Sequence, residues 1–423
     1  MSTRRSHSRR PRSPWRIAGR LSWIAAALCL PARAATWECP LLPAEHRVER
    51  DARTGLAYTF VTTHPTADTN LYFHERAWLP DESLLFFESQ RPGAGGPLAY
   101  LPGTGDLVRL GRPDGPGGGC ITASGHGPRL YLVRGRAILE WTIDVGGLER
   151  VPPAPAVTVA ERQIATLPEG TIPLSALTEN SDGRLLALAL RDPEGASRIL
   201  AVDRETGDMA CGSTLAWPVS HLQFSWTDPH RLLFARTYQG GDRAPLEPAD
   251  PPRSRLWCLD LGGSPARPLY DQRPGELVTH ECWWVGGTLT FCGGHRPEES
   301  HVKLLDPGTG IARIVGAGTW WEEATPAALA RRNWWHAAGD RQGRWIAADN
   351  WYGDIVLFDA RTGEEFLLTS DHRTYGSGAH PHVGWSPSGR YLVFGSNRNG
   401  NPDVCLIAVP EQGRALFRPR AEE

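Results

Sequence analysis

The 423-residue chain has almost no lysine: of its 45 lysine and arginine residues, only Lys303 is a lysine. Arginine stays protonated, so lysine is effectively unavailable as a general base and histidine is the candidate. A GC-rich genome would give the same bias. The net charge is −2 and the pI is about 6.7, so the chain lacks the basic face that nucleic acid requires. We expect no nucleic-acid partner and chemistry based on histidine.

Long apolar runs are also missing. The run from Leu21 to Leu30 follows many arginines and precedes the cleavage-type triplet Ala32-Arg33-Ala34. This pattern predicts a secretory signal peptide over residues 1–34, too short to be a membrane span. The protein is then exported, either to the periplasm or out of the cell, with no membrane span after the signal is removed.

Cysteine is scarce and has no metal-binding spacing. Seven cysteines remain after residue 34, an odd number with no Cys-x-x-Cys pair, so a zinc or disulfide framework is not indicated. One or two disulfides remain open, with Cys282 and Cys292 as the candidate pair. Phosphate-binding loops and a nucleophile elbow are absent as well.

Helical periodicity is nearly absent too, with only Glu322 to Arg332 suggesting a helical insertion. The 46 glycines and 36 prolines separate short β-branched and aromatic runs, which is typical of an all-β protein. Seven units recur with a period of about 37 residues and about four strands each, as in β-propeller blades. They span roughly 74–111, 118–151, 175–212, 219–270, 278–315, 333–369 and 379–411.

The repeat predicts one domain over residues 35–423, a seven-bladed β-propeller of four-stranded blades around a central channel. Three units share a turn of the form Asp-x-x-Thr-Gly, at Asp203, Asp306 and Asp359. The strand within Gly55 to Thr63 is expected to complete the last blade and close the ring.

Histidines recur at nearly the same point of five units. These histidines are His74, His221, His280, His336 and the pair His380 and His382. One phase of a radial repeat lies on one ring, so the imidazoles should converge at the channel as a metal and acid–base site. His380 and His382 point to the same side because alternate strand residues share a face. Among the many tryptophans, Trp320-Trp321 is the candidate for contact with a sugar, the others being ordinary core.

Several of these motifs resemble the oligogalacturonate lyases, the seven-bladed propeller enzymes of polysaccharide lyase family 22. The resemblance covers most of the mature chain, in segments that keep their order and spacing. They are Asn70-Leu-Tyr-Phe-His74, Arg198-Ile-Leu-Ala-Val-Asp203, Ser220-His221-Leu-Gln-Phe224, Arg255-Leu-Trp257, Thr279-His280-Glu281 and His380-Pro381-His382.

The resemblance implies a divalent metal, of the manganese type, held by His280, His380 and His382. It implies His221 as the catalytic base and Arg198 as a catalytic residue that binds the substrate carboxylate, with Arg255 and His336 as further substrate-binding residues. The family's glutamine ligand falls on Ser377. Because a hydroxyl is a poor ligand, water, His336 or His372 could take that place instead.

These parts fit β-elimination of a uronate oligosaccharide. The C5 proton is α to a carboxylate, and a cation and an arginine on that carboxylate stabilise the enolate-like transition state. A neutral imidazole removes the proton and the C4–O4 bond breaks. Two departures from the family are the signal peptide and the stretch from Phe234, where the family has Cys-His-Glu-Gly-Pro.

A non-catalytic propeller is the alternative. Ser386-Pro-Ser-Gly389 and Ser396-Asn-Arg-Asn-Gly400 also resemble the repeats of periplasmic TolB-like proteins, which bind protein partners. Export favours that interpretation, whereas the ring of histidines favours an enzyme.

Overall fold

The computed structural model describes residues 35–93, 96–112, 117–237, 254–296, 299–319, 332–372 and 380–410. Within these ranges the strands form seven antiparallel sheets, arranged as the blades of a propeller. The predicted all-β, seven-bladed fold is therefore confirmed. Its domain boundaries at residues 34 and 423, and the predicted helix at Glu322 to Arg332, fall almost entirely outside the described residues.

The first three blades follow each other along the chain. Blade 1 holds β5 (Asp68–Asn70), β6 (Leu85–Ser89), β7 (Leu98–Tyr100) and β8 (Leu107–Arg109). Blade 2 holds β9 (Gly119–Ala123), β10 (Arg129–Arg134), β11 (Ala137–Gly146) and β12 (Ala156–Thr166). Blade 3 holds β13 (Ile172–Pro173), β14 (Thr178–Glu179), β15 (Leu185–Arg191), β16 (Ser197–Asp203) and β17 (Met209–Leu215), with β13 and β14 both paired to β15.

The remaining blades complete the ring. Blade 4 holds β18 (Val219–Phe224), β19 (Arg231–Arg236), β20 (Leu256–Asp260) and β21 (Arg267–Pro268). Blade 5 holds β22 (Leu277–Trp283), β23 (Leu289–Gly294), β24 (His301–Asp306) and β25 (Ile311–Gly316), with a 3-10 turn at Val285–Gly287. Blade 6 holds β26 (Trp334–Gly339), β27 (Trp345–Asn350), β28 (Ile355–Asp359) and β29 (Glu365–Thr369). Blade 7 holds β30 (Gly384–Trp385), β31 (Tyr391–Ser396) and β32 (Asp403–Ala408).

The N-terminal segment runs backward along the outer edges of three blades. Its strands are β1 (Ala35–Glu38), β2 (Leu41–Leu42), β3 (Arg47–Arg50) and β4 (Ala57–Phe60). β1 pairs with β12 and β2 with β8, while β4 pairs with β32 and carries β3 on its outer side. The predicted closure of the ring is confirmed by the pairing of β4 with β32. In all three blades the added strands bring the sheet to five strands and cover an edge that would otherwise be unpaired.

Asp51, between β3 and β4, ties this segment to blade 6. Its carboxylate accepts hydrogen bonds from the backbone of Thr54 (2.8 Å) and from the backbone and hydroxyl of Ser370 (2.7 and 3.0 Å). The side chain is 2% exposed. Ring closure is thus reinforced by a buried carboxylate whose acceptor capacity is used.

The Asp-x-x-Thr-Gly turns join the third and fourth strands of three blades. In the first, the Asp203 carboxylate accepts the backbone N–H groups of Glu205 and Thr206, and Gly207 follows at φ 75°. Asp359 and Gly363 repeat this geometry in blade 6. Aspartate anchors the turn and glycine takes the left-handed position that a side chain would strain.

The core lies between neighbouring blades, so most inner strands are buried on both faces. All seven residues of β22 are buried, as are all six of β23 and of β27. Two predicted unit boundaries differ from the structure. The first unit is predicted to begin at His74, but that residue follows the inner strand β5. The second is predicted to end at residue 151, but blade 2 extends to Thr166 because β11 and β12 are long.

The candidate disulfide between Cys282 and Cys292 is not formed. All seven cysteines are free, and Cys282 and Cys292 lie on adjacent strands without facing each other. Cys282 is opposite Thr290, whereas Cys292 is opposite Thr279. Burial raises the pKa of the Cys282 thiol to about 12, so it is an inert core group.

Candidate functional site

The histidine-bearing point of the blades is a break in the regular ladder. The pairing register shifts between Ser220 and Gln223 in blade 4 and between Thr279 and Cys282 in blade 5. His221 and His280, inside these bulges, have φ values of 52° and 53°, and His382 in blade 7 has 45°. Left-handed backbone costs a non-glycine residue about 1 kcal/mol. Three left-handed histidines at one phase of the repeat indicate a candidate functional site. The bulges of blades 4 and 5 redirect the side chains of His221 and His280.

His221 is held by a buried ion pair beneath it. Its Nδ1 lies 3.0 Å from Oε1 of Glu281, and Oε2 of Glu281 accepts a hydrogen bond of 2.9 Å from Nε of Arg255. The Glu281 side chain is fully buried and that of Arg255 is 3% exposed. Burial alone would raise the pKa of Glu281, but Arg255 and His221 outweigh it and bring the pKa to about 2.

This arrangement fixes the tautomer of His221. An ionised Glu281 has no proton to give, so Nδ1 of His221 must carry hydrogen and donate it. Nη2 of Arg255, 3.2 Å from Nδ1, then acts through its charge because both nitrogens bear hydrogen. The lone pair of His221 is left on Nε2, the atom that lies 3.2 Å from the Tyr72 hydroxyl. In its neutral form His221 therefore presents Nε2 as its basic nitrogen, on the side of the Tyr72 hydroxyl.

His280, His336 and His382 form a tighter group on the neighbouring blades. The ring centroids are 4.2 Å apart for His280 and His336, and 4.5 Å apart for His336 and His382. His380 lies at the edge, 5.8 Å from His382 and 5.7 Å from His336. Two imidazoles that share one metal ion have centroids about 4.5–5 Å apart, given bonds near 2.1 Å. The group thus has the spacing of ligands that need only a small adjustment.

Two of these rings are anchored by their other nitrogen. Nδ1 of His280 is 2.8 Å from the Thr279 hydroxyl, and Nδ1 of His336 is 2.9 Å from Oδ1 of Asp349. Burial, together with the neighbouring imidazoles, holds the pKa of His280 and of His336 well below its usual value. The rings are therefore neutral, which is the metal-binding form, and each has the second contact that typically orients a ligand.

Tyr72 stands at the centre of the ring of histidines. Its ring centroid is 4.6 Å from that of His382, 5.1 Å from that of His221 and 6.3 Å from that of His280. The next residue, Phe73, packs with Cys282 and with Ala338, on blades 5 and 6. The segment after β5 therefore leaves blade 1 and crosses the channel axis.

Asn70 ties this crossing segment to the histidine pair of blade 7. Its side-chain nitrogen donates to the carbonyl oxygens of Pro381 (3.1 Å) and His382 (2.8 Å). Asn70 is 6% exposed, so these bonds are shielded from water. The backbone of the His380–His382 segment is thereby fixed relative to Tyr72.

The remaining residues that the sequence singles out lie in different places. Arg198 begins β16 in blade 3, donates to Asp192 at 2.8 Å and is 44% exposed in its side chain. Within the described residues no contact joins Arg198 to the histidines. Arg255, predicted to bind substrate, contacts the Glu281 carboxylate below His221, and His336, also predicted to bind substrate, lies among the other imidazoles. Ser377 is outside the described residues.

His372 does not belong to the ring. Its two nitrogens contact the hydroxyls of Thr369 and Ser396, both at 2.9 Å, and the residue is fully buried against Tyr58 and Phe394. Both nitrogens are satisfied within the core, so His372 cannot take the place of the family's glutamine. His336 can, because only its Nδ1 is engaged by Asp349.

Three residues of the site were not found by sequence reasoning. Tyr72, Asn70 and Asp349 have no histidine-like signal, although Asn70 and Tyr72 belong to the Asn70–His74 segment in which the resemblance begins. Burial raises the pKa of Asp349 to about 7. Only the folded chain shows that these groups orient the imidazoles.

The donor set fits a divalent metal, although no three described His, Cys, Asp or Glu side chains already converge on one point. Neutral, anchored imidazoles suit zinc, copper, iron or nickel ions, whereas manganese also favours oxygen ligands. His74 adds a buried Nε2 that has no hydrogen-bond partner among the described residues, and its ring centroid is 5.6 Å from that of His221. Burial lowers the pKa of His74 to about 3.

Comparison with curated proteins supports the resemblance that the sequence indicates. The chain is 20% identical over 407 residues to the oligogalacturonide lyase of Pectobacterium atrosepticum, covering 88% of this chain and 97% of the relative. It is 20% identical over 238 residues to the oligogalacturonate lyase of Dickeya dadantii, covering 51% of this chain and 56% of that relative. No family model matches the chain.

Solved structures give the same neighbours. An oligogalacturonate lyase from Vibrio parahaemolyticus superposes with a TM-score of 0.67 at 18% identity, over 90% of this chain and 99% of that one. An oligogalacturonate lyase in complex with manganese superposes with a TM-score of 0.70 at 19% identity, over 88% and 98% of the two chains. The predicted resemblance to these lyases is confirmed, as a distant one, and the shared fold with it.

Proposed function

We propose that this protein is a lyase that cleaves uronate-containing oligosaccharides, such as oligogalacturonate, by β-elimination. The observation that carries the proposal is the state of His221. Its Nδ1 is anchored on Glu281, and its basic Nε2 faces the axis of a channel surrounded by neutral imidazoles. The similarity to oligogalacturonate lyases over most of the chain supports the same reaction.

His221 acts as the base that removes the C5 proton. The buried Glu281 carboxylate stabilises the imidazolium that forms, in the manner of other carboxylate–histidine pairs. Arg255 keeps Glu281 ionised and is thus a positioning residue. Removing C5–H and breaking C4–O4 leaves a 4,5-unsaturated uronide, and the electron pair of the C–H bond becomes the new double bond. The oxygen O4 leaves with the C4–O4 electron pair and takes up a proton from water.

A divalent metal is the cofactor of this proposal, and manganese is suggested by the neighbouring lyase complex. His280, His336 and His382 would hold it, with His380 at the edge and Ser377 as the residue that replaces the family's glutamine. When bound, the ion supplies positive charge that stabilises the carboxylate as the C5 carbanion develops. The chain's own residues keep the imidazoles neutral and oriented through Thr279 and Asp349.

Arg198 is the second part of the carboxylate site. It lies near the start of β16, which runs parallel to the inner strand β14 because both strands pair antiparallel with β15. Its hydrogen bond to Asp192 leaves the rest of an exposed guanidinium available for a substrate carboxylate. Export to the periplasm or beyond remains part of the proposal. Within the described residues, no helix has the length and apolar character needed to cross a membrane.

The test is incubation with oligomers of galacturonate, glucuronate and mannuronate in the presence of manganese. Unsaturated product is followed by its near-ultraviolet absorbance. We expect product from the galacturonate oligomers, none from His221→Ala, and bound metal in both proteins. Loss of metal from His221→Ala would show that the role assignment is wrong. No product from any oligomer, with no metal in the purified protein, would favour the non-catalytic alternative.

A further inference from the structure

The channel contains a second chamber beyond the histidines. A cavity of about 270 Å³ lies at the opposite ends of the inner strands, where each turns into the second strand of its blade. Phe224 ends β18, Gly339 ends β26 and Trp385 ends β30, and all three line it. The histidines occupy the beginnings of those strands. Pro80 and Arg341, at the rim of the cavity, are exposed. We call this cavity the lower chamber.

The crossing segment of blade 1 separates the lower chamber from the histidine cluster. Tyr72 faces the imidazoles, whereas Phe73 and Glu75 line the lower chamber. His74 lies at the boundary, because it lines the chamber and its ring centroid is 5.6 Å from that of His221. Phe73 is 3% exposed and packs on Cys282 and Ala338. One channel therefore contains two compartments with different side chains.

Arg76 and Glu179 form a closed network on one wall. Glu179 accepts hydrogen bonds from Nη1 of Arg76 (2.9 Å), the Ser124 hydroxyl (2.7 Å), the backbone of Gly125 (2.7 Å) and the Tyr131 hydroxyl (2.8 Å). Four bonds use the acceptor capacity of a carboxylate. Glu179 therefore has no acceptor site left for a second guanidinium.

Arg341 is that further cation. Its guanidinium lies 5.1 Å above the Trp226 ring, and within the described residues it has no carboxylate partner and no hydrogen bond. The residue is exposed and borders the cavity. Partial desolvation of its guanidinium, and then the charge of Arg76, lower the pKa of Arg341 to about 10. Two cations share the chamber with one carboxylate.

The other ionisable groups do not cancel this excess. Burial raises the pKa of Glu75 to about 8, which favours its uncharged form, and lowers that of His74 to about 3, which keeps the imidazole neutral. A carboxylate that entered the cavity would pair with the Arg341 guanidinium. Among the described residues that line the chamber, this guanidinium is the charge left for a monovalent anion.

We propose that the lower chamber is a binding site for a small carboxylate, held by Arg341 and Arg76. A guanidinium binds a carboxylate through two parallel hydrogen bonds. The indoles of Trp226 and Trp385 supply apolar walls for the remainder of the molecule. Trp78, a third lining residue, has a buried ring N–H without a partner among the described residues. The volume is large enough for a single sugar acid.

The carboxylate site follows from the geometry alone, but the choice of a uronic acid as probe rests on the proposed function. The experiment uses the chelator-treated His221→Ala protein, so that neither turnover nor a metal at the histidines contributes. Binding of D-galacturonate, acetate, inorganic phosphate and D-galactose is measured by calorimetry and by tryptophan fluorescence. We expect D-galacturonate to bind most tightly, acetate more weakly, and D-galactose not at all.

Variants then locate the site. Arg341→Gln should raise the Kd for D-galacturonate at least tenfold, and Arg341→Lys should raise it less because the charge is kept. Arg344→Gln is the matched control, since Arg344 lies three residues away, packs on Trp345 and does not line the chamber. It should leave the Kd unchanged.

Three results would overturn the proposal. They are absence of carboxylate binding, a Kd that Arg341→Gln does not alter, and phosphate binding tighter than that of D-galacturonate. Failure of the lyase proposal looks different, because it appears as missing unsaturated product and leaves the effect of Arg341→Gln on carboxylate binding intact.

Discussion

The Tyr72 hydroxyl lies 3.2 Å from Nε2 of His221, although the two residues are 149 positions apart and belong to blades 1 and 4. Because Nδ1 of His221 donates to Glu281, Nε2 is the acceptor and Tyr72 is the donor. The hydrogen bond thus aims the basic nitrogen at the channel axis.

Removing that hydroxyl tests its part in turnover. We expect Tyr72→Phe to lower kcat on oligogalacturonate about tenfold with little change in thermal midpoint, since the aromatic ring is kept and one hydrogen bond is lost. Tyr100→Phe, which removes a buried hydroxyl in blade 1, is the control. An unchanged kcat would show that His221 does not need Tyr72.

The Glu281 carboxylate should matter for both activity and folding. Glu281→Gln removes the charge that stabilises the His221 imidazolium, so kcat should fall by about a hundredfold or more. It also leaves Arg255 buried without a counter-ion, which costs about 3 kcal/mol of the free energy of unfolding. Steady-state kinetics and urea unfolding measure the two effects. Glu299→Gln, in blade 5, should change neither kcat nor the free energy of unfolding. If Glu281→Gln and Glu299→Gln gave the same kcat and the same free energy of unfolding, Glu281 would not be the counter-ion of His221 and Arg255.

Metal dependence separates the histidine cluster from the other buried histidines. Dialysis against a chelator should abolish activity, and added manganese should restore it. His280→Ala and His382→Ala should reduce the metal content of the purified protein, because each removes one imidazole. His372→Ala should keep the metal, since His372 is bonded to Thr369 and Ser396. Elemental analysis provides the measurement, and equal metal loss in all three variants would argue against a site at the ring.

Asp51 should make ring closure sensitive to acid. Burial opposes its ionisation, but the hydrogen bonds from Thr54, Ser370 and Arg53 outweigh that effect and keep its pKa below 3.8. Its contribution to stability is therefore present above the ordinary aspartate pKa and is lost as the pH falls through the lower, folded value.

The corresponding variant is Asp51→Asn, which should lower the free energy of unfolding by about 2 kcal/mol at pH 7. The difference from the wild type should shrink as the pH falls below about 4. Urea unfolding between pH 3 and pH 7 measures it. Asp306→Asn, in an exposed turn, is the control, and a difference that stays constant with pH would exclude a role for the Asp51 charge.

The sequence predicts the architecture well because each blade is a local unit. Short apolar runs, Asp-x-x-Thr-Gly turns and the strand near Gly55 to Thr63 specify strands and turns from neighbouring residues. The phase of His221, His280 and His382 likewise predicts a ring, since radial repetition converts sequence phase into position.

Sequence reasoning is weaker where side-chain direction depends on a local break in the ladder. The alternation rule treats His221 and His280 as regular strand positions, whereas both sit in bulges with left-handed backbone. It also treats His74 as the start of a strand, whereas that residue lies in the segment that crosses the channel. No local pattern distinguishes these cases.

The amino-acid sequence by itself determined the seven-bladed toroid and the convergence of its histidines. Both follow from a repeat in which each unit forms one blade from residues that are close in sequence. Only the tertiary structure decided that Tyr72 would stand among those histidines and that Glu281 and Arg255 would set the tautomer of His221. It also decided that Arg341 would find no carboxylate among the described residues. Those relationships join residues from different blades, and their distances depend on how the whole ring closes.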